Sequence, residues 1–420
     1  MSDLHNWAVN YKYGAARVHH PKTVEQVQEL VNQGRNVKAL GTRHSFNDIA
    51  DTPEDLISME HFDRVLVLDR HRMTVTVQAG ITYGRLCEEL NREGYALHNL
   101  ASLPHISVSG ACATATHGSG DTNGNLATAV SAMELVRADG SLVHLSRDRD
   151  GEEFQGAVVG LGGLGVVTSL TLDILPAFAV KQEVYERLPL SELANHFDEI
   201  TSSAYSVSLF TDWRSSTFNQ VWLKSRVTDS GADKWQPTFY GAMLAKQNLH
   251  PVPGHSAESC TEQMGVPGRW HERLPHFRMG FTPSNGEELQ SEYLVPRGQA
   301  FEALRAIDSL KQQIGPLLLI SEVRTIAADR LWMSTAYDRS SVSIHFTWKK
   351  IWAGVRKLLP RIEEQLAPFD ARPHWGKLSK VSPARLRSLY ERLPDFQQTL
   401  QSYDPQGKFR NAFLDRFIYL

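Results

Sequence analysis

The segment from Asn99 to Asn125 limits the possible folds of this chain more than any other feature. It consists largely of Gly, Ser, Thr, Ala and His, with little hydrophobic periodicity and no strong helix cap. Irregular segments of this length are uncommon inside a compact domain unless they serve a function. The small or hydroxylated positions, where a backbone can approach a ligand closely, are Ser107, Ser109, Gly110, Thr114, Thr116, His117 and Gly118. The segment therefore predicts one wall of a ligand site.

A second segment of the same kind, Gly41-Thr42-Arg43-His44-Ser45, follows a short strand predicted at Val37–Leu40. It offers consecutive backbone N–H groups, two hydroxyls and a cation, which together suit a phosphate or pyrophosphate. The alternative is a turn at the end of a strand, with a solvated histidine. Two such segments could hold one extended dinucleotide between them.

The first part of the chain alternates helix and strand patterns. Thr23 and Gln26 form a capping box at the start of a helix that Gly34 ends. The other elements predicted here are strands at 65–68, 73–77, 133–137 and 142–145, a helix at 83–93, and a glycine-rich turn within 156–174 that leads into a strand. Because 420 residues exceed one ordinary core, we expect two domains.

After Pro176 the pattern changes to long alternating strands. Strands are predicted at 205–213, 220–227, 291–295, 318–326 and 341–348, with a helix near 299–313. This order is typical of an antiparallel sheet with flanking helices. The predicted fold class is therefore α+β, with residues 1–175 in a first domain and residues 176–379 in a second.

Two strands of the second domain carry polar groups on one face. Side chains two positions apart share a face, so Glu322 and Arg324 project together. In the later strand Ser343, His345 and Thr347 alternate with Val342, Ile344, Phe346 and Trp348. A solvated sheet face is the ordinary explanation, and Lys377 would then be a surface lysine. If both faces line a cavity, Glu322, Arg324, His345 and Thr347 can grip several hydroxyls and stabilise an alkoxide, with Lys377 as a second cation.

Composition and motifs argue against several classes of function. The 44 basic and 47 acidic residues leave a net charge of -3, without the basic excess typical of nucleic-acid binding. The three cysteines are widely spaced. Neither a signal peptide nor an apolar run of ~20 residues is present. We therefore expect a cytoplasmic protein without a membrane span. No His-Glu-x-x-His or Gly-x-Ser-x-Gly motif supports a metal site or a serine hydrolase.

Residues 160–165 match the pattern Gly-x-Gly-x-x-Gly. A Rossmann nucleotide site needs a helix directly after this pattern, because the helix N-terminus holds the pyrophosphate. Alternating strand residues follow here instead. The pattern therefore favours a tight glycine turn beside a flat ligand.

Four segments together resemble the vanillyl-alcohol-oxidase-type flavoproteins, and within them the bacterial alditol oxidases that act on xylitol and sorbitol. These segments are residues 41–47, 101–118, 160–169 and 404–409, and the resemblance extends over essentially the whole chain. It implies an FAD-binding domain of two small subdomains and an antiparallel-sheet substrate domain that caps the flavin ring. It also implies that residues 380–420 return to the FAD-binding domain.

The resemblance further implies a site and a reaction. FAD would be attached covalently through His44. The cofactor-binding residues would be Gly41, Thr42, Arg43, His44, Ser45, Ser102, Ser107, Gly110, Thr114, Ala115, Thr116, His117, Val166, Val167 and Lys377. The substrate-binding residues would be Ser102, Glu322, Arg324, Thr347 and Lys377, and the catalytic residues Glu322, Arg324, His345 and Lys377. The implied reaction oxidises a terminal primary alcohol of an alditol to the aldose and reduces oxygen to hydrogen peroxide.

One departure and two alternatives belong to this interpretation. Arg43 stands where many distant relatives have glycine, which bears on the backbone of the loop rather than on the attachment at His44. The alternatives are a sugar-1,4-lactone oxidase or dehydrogenase of the same superfamily, and a flavin- or carbohydrate-binding protein without turnover. The sequence leaves the preferred alditol and the oligomeric state open.

Overall fold

The computed structural model describes residues 4–227, 236–281 and 287–419. The strands up to residue 176 are β1 Arg17–His19, β2 Val37–Leu40, β3 Asp55–Ser58, β4 Val65–Asp69, β5 Thr74–Gln78, β6 Tyr95–Ala96, β7 Val130–Val136, β8 Leu142–Ser146, β9 Val166–Asp173 and β10 Leu175–Pro176. The helices of this part are α1 Val24–Gln33, α2 Tyr83–Arg92, α3 Val108–Ala113 and α4 Arg147–Val158.

Two sheets form the first part. A parallel sheet in the order β1-β3-β2 packs against α1, and an antiparallel sheet in the order β4-β5-β9-β7-β8 lies beside it. Half of the predicted capping box is present: the Thr23 hydroxyl accepts a hydrogen bond from the Gln26 N–H, but the Gln26 side chain accepts from the Lys22 N–H instead of that of Thr23. Val27 and Val31 of α1 are fully buried. The apolar side of α1 therefore faces the core.

The second part is built on one large sheet. Its strands are β11 Ala179–Pro189, β12 Ser206–Thr211, β13 Thr217–Arg226, β14 Thr238–Phe239, β15 Ala242–Leu244, β16 Gly268–Arg269, β17 Glu288–Pro296, β18 Leu318–Ile326, β19 Ser341–Lys349 and β20 Arg372–Pro373. Its helices are α5 Leu190–Thr201, α6 Ala300–Asp308, α7 Lys311–Ile314 and α8 Trp352–Leu366. Nine of the strands follow the order β14-β15-β11-β13-β12-β18-β19-β17-β20, and β16 pairs with β11. The neighbours β13, β12, β18, β19 and β17 run antiparallel to one another along this order.

The two faces of this sheet differ in chemistry. On one face Ile344, Phe346 and Trp348 of β19 are fully buried in a cluster that also contains apolar residues of α5, α6 and α8. The helices thus cover the apolar face. The opposite face, which carries His345 and Thr347, lines a cavity.

The chain then returns to the first part. Residues after 380 form α9 Pro383–Ser388, α10 Leu393–Tyr403, α11 Ala412–Leu414 and a π-helix at Asp415–Tyr419. Phe396, Leu400 and Phe413 share one hydrophobic cluster with Val75 and Leu170 of the first antiparallel sheet. Sheets and helices lie in separate layers within each part, so the predicted α+β class is confirmed.

Local differences from the predictions concern helices. The segment 99–125 is not wholly irregular, since it contains α3, a short helix of small residues whose N-cap Ser107 makes no side-chain capping bond. The helix predicted near 299–313 is divided into α6 and α7. Gly156, taken as the beginning of a turn, lies within α4, where an added Cβ would be 2.5 Å from the Trp332 ring. Neither α3 nor α4 has a side-chain hydrogen bond at its N-cap, so the pattern by which a helix start is recognised is missing there.

Candidate active site

A large cavity lies between the two parts of the chain, with a volume of about 620 Å³. Irregular segments of the first part form one side, and the polar face of β17, β18 and β19 forms the other. We call residues 41–45, 107–117 and 160–167 the loop wall. We call Glu288, Gln290, Glu292, Glu322, Arg324, His345 and Thr347 the strand wall. The volume suits a cofactor together with a small substrate.

The segments of the loop wall are held close to one another. The Ser107 N–H donates a hydrogen bond of 3.0 Å to the Thr42 hydroxyl, which joins the two segments singled out in the sequence. At Gly41 an added Cβ would lie 2.5 Å from the Ser107 hydroxyl oxygen. At Gly165, with φ of +154°, it would lie 2.3 Å from the Val136 carbonyl oxygen. Glycine is therefore required at both places for the backbone to pack as it does.

Most of the predicted cofactor-binding residues line the cavity. Those that do are Gly41, Thr42, Arg43, His44, Ser45, Ser102, Ser107, Gly110, Thr114, Thr116, His117, Val167 and Lys377. Ala115 and Val166 do not line it, because both are fully buried in hydrophobic clusters behind the wall. Arg43 has a φ of +61°, and its guanidinium donates to the His5 carbonyl. The residue thus occupies the left-handed conformation that glycine would adopt more easily.

His44 is half-buried in the loop wall. Its ring stacks on Trp7 with 5.5 Å between the ring centroids, and its Nδ1 lies 3.1 Å from the Thr42 hydroxyl oxygen. Burial, together with nearby His105 and Lys377, lowers the pKa of His44 to about 4. The ring is therefore neutral at ordinary pH, so one nitrogen keeps a lone pair that can act as a nucleophile.

On the strand wall, polar residues of three adjacent strands are in register. His345 of β19 lies directly opposite Glu292 of β17 on one side and Glu322 of β18 on the other. All three side chains are at least nine-tenths buried. The alternation in β18 and β19 therefore marks a cavity lining and not a solvated face.

Glu292 is the centre of the polar contacts. Its carboxylate oxygens lie 3.0 Å from Arg324 Nη2, 3.2 Å from His345 Nδ1 and 3.1 Å from His117 Nε2. Burial opposes ionisation, but His117, His345 and Arg324 hold the pKa of Glu292 well below its ordinary value. A buried charge of this kind is stable only because it is paired.

Arg324 joins the strand wall to Ser102, in the segment that precedes residues 107–117 of the loop wall. Its Nη1 donates a 3.3 Å hydrogen bond to the Ser102 hydroxyl, and its Nε lies 3.5 Å from Glu322 Oε1. The guanidinium is 6% exposed, so its position is fixed between two carboxylates. Such a fixed cation can stabilise negative charge that develops nearby without first reorganising.

Two further groups complete this end of the cavity. Lys377 donates a hydrogen bond from Nζ to the Gln290 amide oxygen, and burial lowers its pKa to about 8. His345 Nε2 lies 3.2 Å from the Thr347 hydroxyl oxygen, and burial lowers the pKa of His345. Every predicted substrate-binding and catalytic residue thus lines the same cavity.

Sequence reasoning missed part of the site. Glu288, Gln290 and Glu292 line the cavity from β17. The strand was predicted to begin only at Ser291, and it begins at Glu288. The alternation of these three polar residues was a usable signal. His276, which lies 2.7 Å from Glu322, gave none because it stands in a short irregular segment.

Comparison with known proteins identifies the family. The FAD binding domain family matches residues 15–146, and the D-arabinono-1,4-lactone oxidase family matches residues 282–417. The chain is 49% identical to an alditol oxidase of a Streptomyces species, over 97% of each chain. The chain belongs to the alditol oxidase family. This family membership makes it an FAD-dependent oxidase, as the sequence predicted.

More distant relatives define the wider group around this alditol oxidase family member. It is 27% identical to an L-gulono-1,4-lactone dehydrogenase of Mycobacterium tuberculosis, over 98% of each chain. The crystal structure of cholesterol oxidase from B. sterolicum has the same fold, with a TM-score of 0.78, 14% identity and coverage of 99% of this chain and 96% of the other. The fold of vanillyl-alcohol-oxidase type is thus confirmed.

The loop wall fits FAD on its own geometry. It joins a run of backbone N–H groups at 41–45 to a glycine-lined surface that admits no added Cβ at Gly41, and both lie in one cavity. These are features of a site for a flat, extended dinucleotide.

In the described residues, no helix is long and apolar enough to cross a membrane, and no cluster of three or more His, Cys, Asp or Glu suits a metal ion.

Proposed function

We propose that this chain oxidises the terminal primary alcohol of an alditol, such as xylitol or sorbitol, to the aldose and reduces oxygen to hydrogen peroxide. The observation that carries the proposal is the strand wall, where carboxylates, the Arg324 cation and the Thr347 hydroxyl share one face opposite the loop wall. A linear polyol presents a hydroxyl on each carbon, and each can both donate and accept a hydrogen bond. The alditol oxidase relative supports the same substrate class.

FAD, when bound, accepts the hydride from the alcohol carbon and passes the electrons to oxygen. The residues of this chain bind and orient the alcohol and manage its proton. Arg324 and Lys377 supply two cations that stabilise the developing alkoxide. Glu322, Thr347 and Ser102 hold hydroxyls further along the substrate.

His345 is proposed to take the hydroxyl proton. Its Nδ1 faces a Glu292 carboxylate oxygen, which can only accept, so the proton of the neutral ring sits on Nδ1. The lone pair of Nε2 is then left on the side of Thr347, which lines the cavity. Burial keeps the ring neutral by lowering its pKa. A neutral imidazole with its lone pair towards the substrate is suited to act as a general base.

His44 is proposed to carry FAD covalently, and the remaining predicted cofactor residues are proposed to surround it. The neutral ring at the cavity wall supports this assignment. Fluorescence of the denatured protein band, with the mass of the intact chain, tests it. Both the fluorescence and the added mass should disappear in His44→Ala. We also propose that residues 1–175 and 380–420 form the FAD-binding domain and residues 176–379 the substrate domain, which agrees with the shared hydrophobic cluster.

Substrate oxidation is tested by anaerobic mixing of the FAD-loaded protein with xylitol, sorbitol or L-gulono-1,4-lactone. We expect both alditols to remove the visible flavin absorbance faster than the lactone does. A faster reaction with the lactone would favour the alternative that the D-arabinono-1,4-lactone oxidase match represents. No loss of absorbance with any of the three would refute an enzyme of either kind.

A further inference from the structure

Lys224 is an unusual residue of the second part. It lies on β13, is 1% exposed, and has no carboxylate within 4.0 Å of its Nζ in the part of the chain that the structure describes. Instead, its Nζ lies 2.6 Å from the Leu274 carbonyl oxygen, 2.9 Å from the Pro275 carbonyl oxygen and 3.1 Å from His276 Nδ1. Lysine is seldom buried without a charged partner. Burial of the Lys224 ammonium group costs free energy, and packing alone does not explain why the chain keeps a lysine there.

The contacts of Lys224 fix the tautomer of His276. Burial lowers the pKa of Lys224 to about 7. Below this pH the ammonium group has three donors and no acceptor, and the two carbonyls can only accept. The third donor therefore points at His276 Nδ1, which must accept it. Burial lowers the pKa of His276 to about 4, so its ring is neutral and its single proton resides on Nε2.

The other end of the ring meets the strand wall. His276 Nε2 lies 2.7 Å from Glu322 Oε1, to which it donates. The opposite arrangement, with the proton on Nδ1, would direct the Nε2 lone pair at a carboxylate. The ring cannot exchange its two nitrogens easily, because Phe210 and Trp222 pack edge-on against it at centroid distances of 5.5 and 5.2 Å.

Glu322 therefore has two different oxygens. Oε1 accepts from His276 and lies 3.5 Å from Arg324 Nε. Among the described residues none donates a hydrogen bond to Oε2, although Glu322 lines the cavity. An ionised carboxylate with one oxygen held and the other open can accept a hydrogen bond from a substrate hydroxyl.

We propose that Lys224 is a positioning residue for substrate binding. Through His276 it sets a one-way chain of hydrogen bonds that holds Glu322 as an acceptor for a hydroxyl of the substrate. This inference rests on the proposed alditol substrate. The residue itself does not line the cavity and touches neither the substrate nor the cofactor.

Two substitutions separate this role from packing. Lys224→Met should raise the KM for xylitol about ten-fold or more, and change kcat less, because a hydrogen bond to a charged group contributes at least such a factor. His276→Gln should raise KM less than His276→Leu does, since the amide can accept from Lys224 and donate to Glu322. In the His276→Gln background, Lys224→Met should cost clearly less, because an amide has no tautomer to lose. An equal factor in both backgrounds would overturn the proposal.

Nitrogen-15 NMR of histidine-labelled, FAD-loaded protein gives a second readout that does not depend on turnover. The His276 signals are those lost in His276→Gln. They should show the Nε2-protonated tautomer in the wild type and a mixture in Lys224→Met, while a wild-type ring protonated on Nδ1 would overturn the proposal. If the wild type oxidised no alditol, the proposed function would fail and these spectra would still decide the tautomer. If Lys224→Met did not fold, equal KM values for His276→Gln and His276→Leu would refute the relay.

Discussion

The loop wall and the strand wall enclose one cavity but are built to recognise ligands by different means. The loop wall offers backbone groups and small side chains, brought so close that Gly41 leaves no space for a Cβ beside Ser107. The strand wall offers charged side chains on adjacent strands, paired with one another before any ligand binds. The loop wall therefore selects its ligand by shape, and the strand wall selects its ligand by fixed charge. Substitutions in the loop wall should therefore change FAD retention, and substitutions in the strand wall should change turnover while FAD stays bound.

The largest effect is expected from Arg324→Leu. Loss of the fixed cation should lower kcat/KM for xylitol by about 10³-fold, as for other preorganised donors at a developing oxyanion. Steady-state rates measure turnover, and the flavin absorbance of the purified protein measures how much FAD it retains. Arg324→Lys, which keeps the charge but not the planar fork, should lose less. Loss of FAD together with activity would break the distinction between the walls.

Glu292→Gln should lower kcat by about 10²-fold, because the neutral amide no longer stabilises the protonated His345 ring. FAD content should not change. The matched control is Glu288→Gln on the same face of β17, because Glu288 accepts a hydrogen bond from Gln290 and lies opposite Lys349 rather than His345. Equal losses in the two variants would contradict the role given to Glu292.

A pH dependence of turnover is expected at the strand-wall end of the cavity, where Lys377 donates a hydrogen bond to Gln290. Burial lowers the pKa of Lys377 to about 8, so its charge is present below that pH and is lost as pH rises through it. At one pH unit above this pKa, kcat should be roughly ten-fold lower, since about one molecule in eleven keeps the charge. The pH profile of Lys377→Met should lack this decline. An unchanged profile would assign the decline to another group.

On the loop wall, His44→Ala should release flavin on denaturation and leave activity within about ten-fold when excess FAD is supplied, because the strand wall still carries the chemistry. The flavin fluorescence of the denatured band and the rate with added FAD are the two measurements. A loss as large as that of Arg324→Leu would show that the walls are not separable.

The smallest effect is expected from Arg43→Gly. Glycine relieves the φ of +61° but gives up the hydrogen bond to His5 and gains freedom in the unfolded chain. These contributions nearly cancel, so the free energy of unfolding should change by less than about 1 kcal/mol. Denaturant unfolding of the FAD-loaded protein measures it, with Gly165→Ala as a destabilising control at the close contact with Val136.

The two walls also differ in how far the sequence predicts them. The side of the sheet that each residue of β18 and β19 occupies follows from a period of two. The sequence therefore placed Glu322 and Arg324 correctly on one face of β18, and His345 and Thr347 on one face of β19. Which strands are neighbours is a long-range property, so the sequence did not place β17 beside β19, and the polar alternation at Glu288, Gln290 and Glu292 was not connected with His345. The link from Lys224 to His276 spans 52 positions and has no local pattern at all. The helix α8 was missed for a local reason. Pro360 lies inside it, and no side chain caps its start.

The return of the chain to the first part has a consequence for the order of assembly. Lys38, directly before the strand end that leads to His44, donates to the Phe409 carbonyl 371 positions later. Asn411 donates to the carbonyls of Asp48, Ile49 and Asp51. During synthesis, the scaffold around residue 44 stays incomplete until residues 404–411 have emerged. Contacts so distant along the chain form slowly. Cofactor uptake is thereby tied to the synthesis of residues 404–411, and a chain truncated before them should acquire its loops but not a closed flavin pocket.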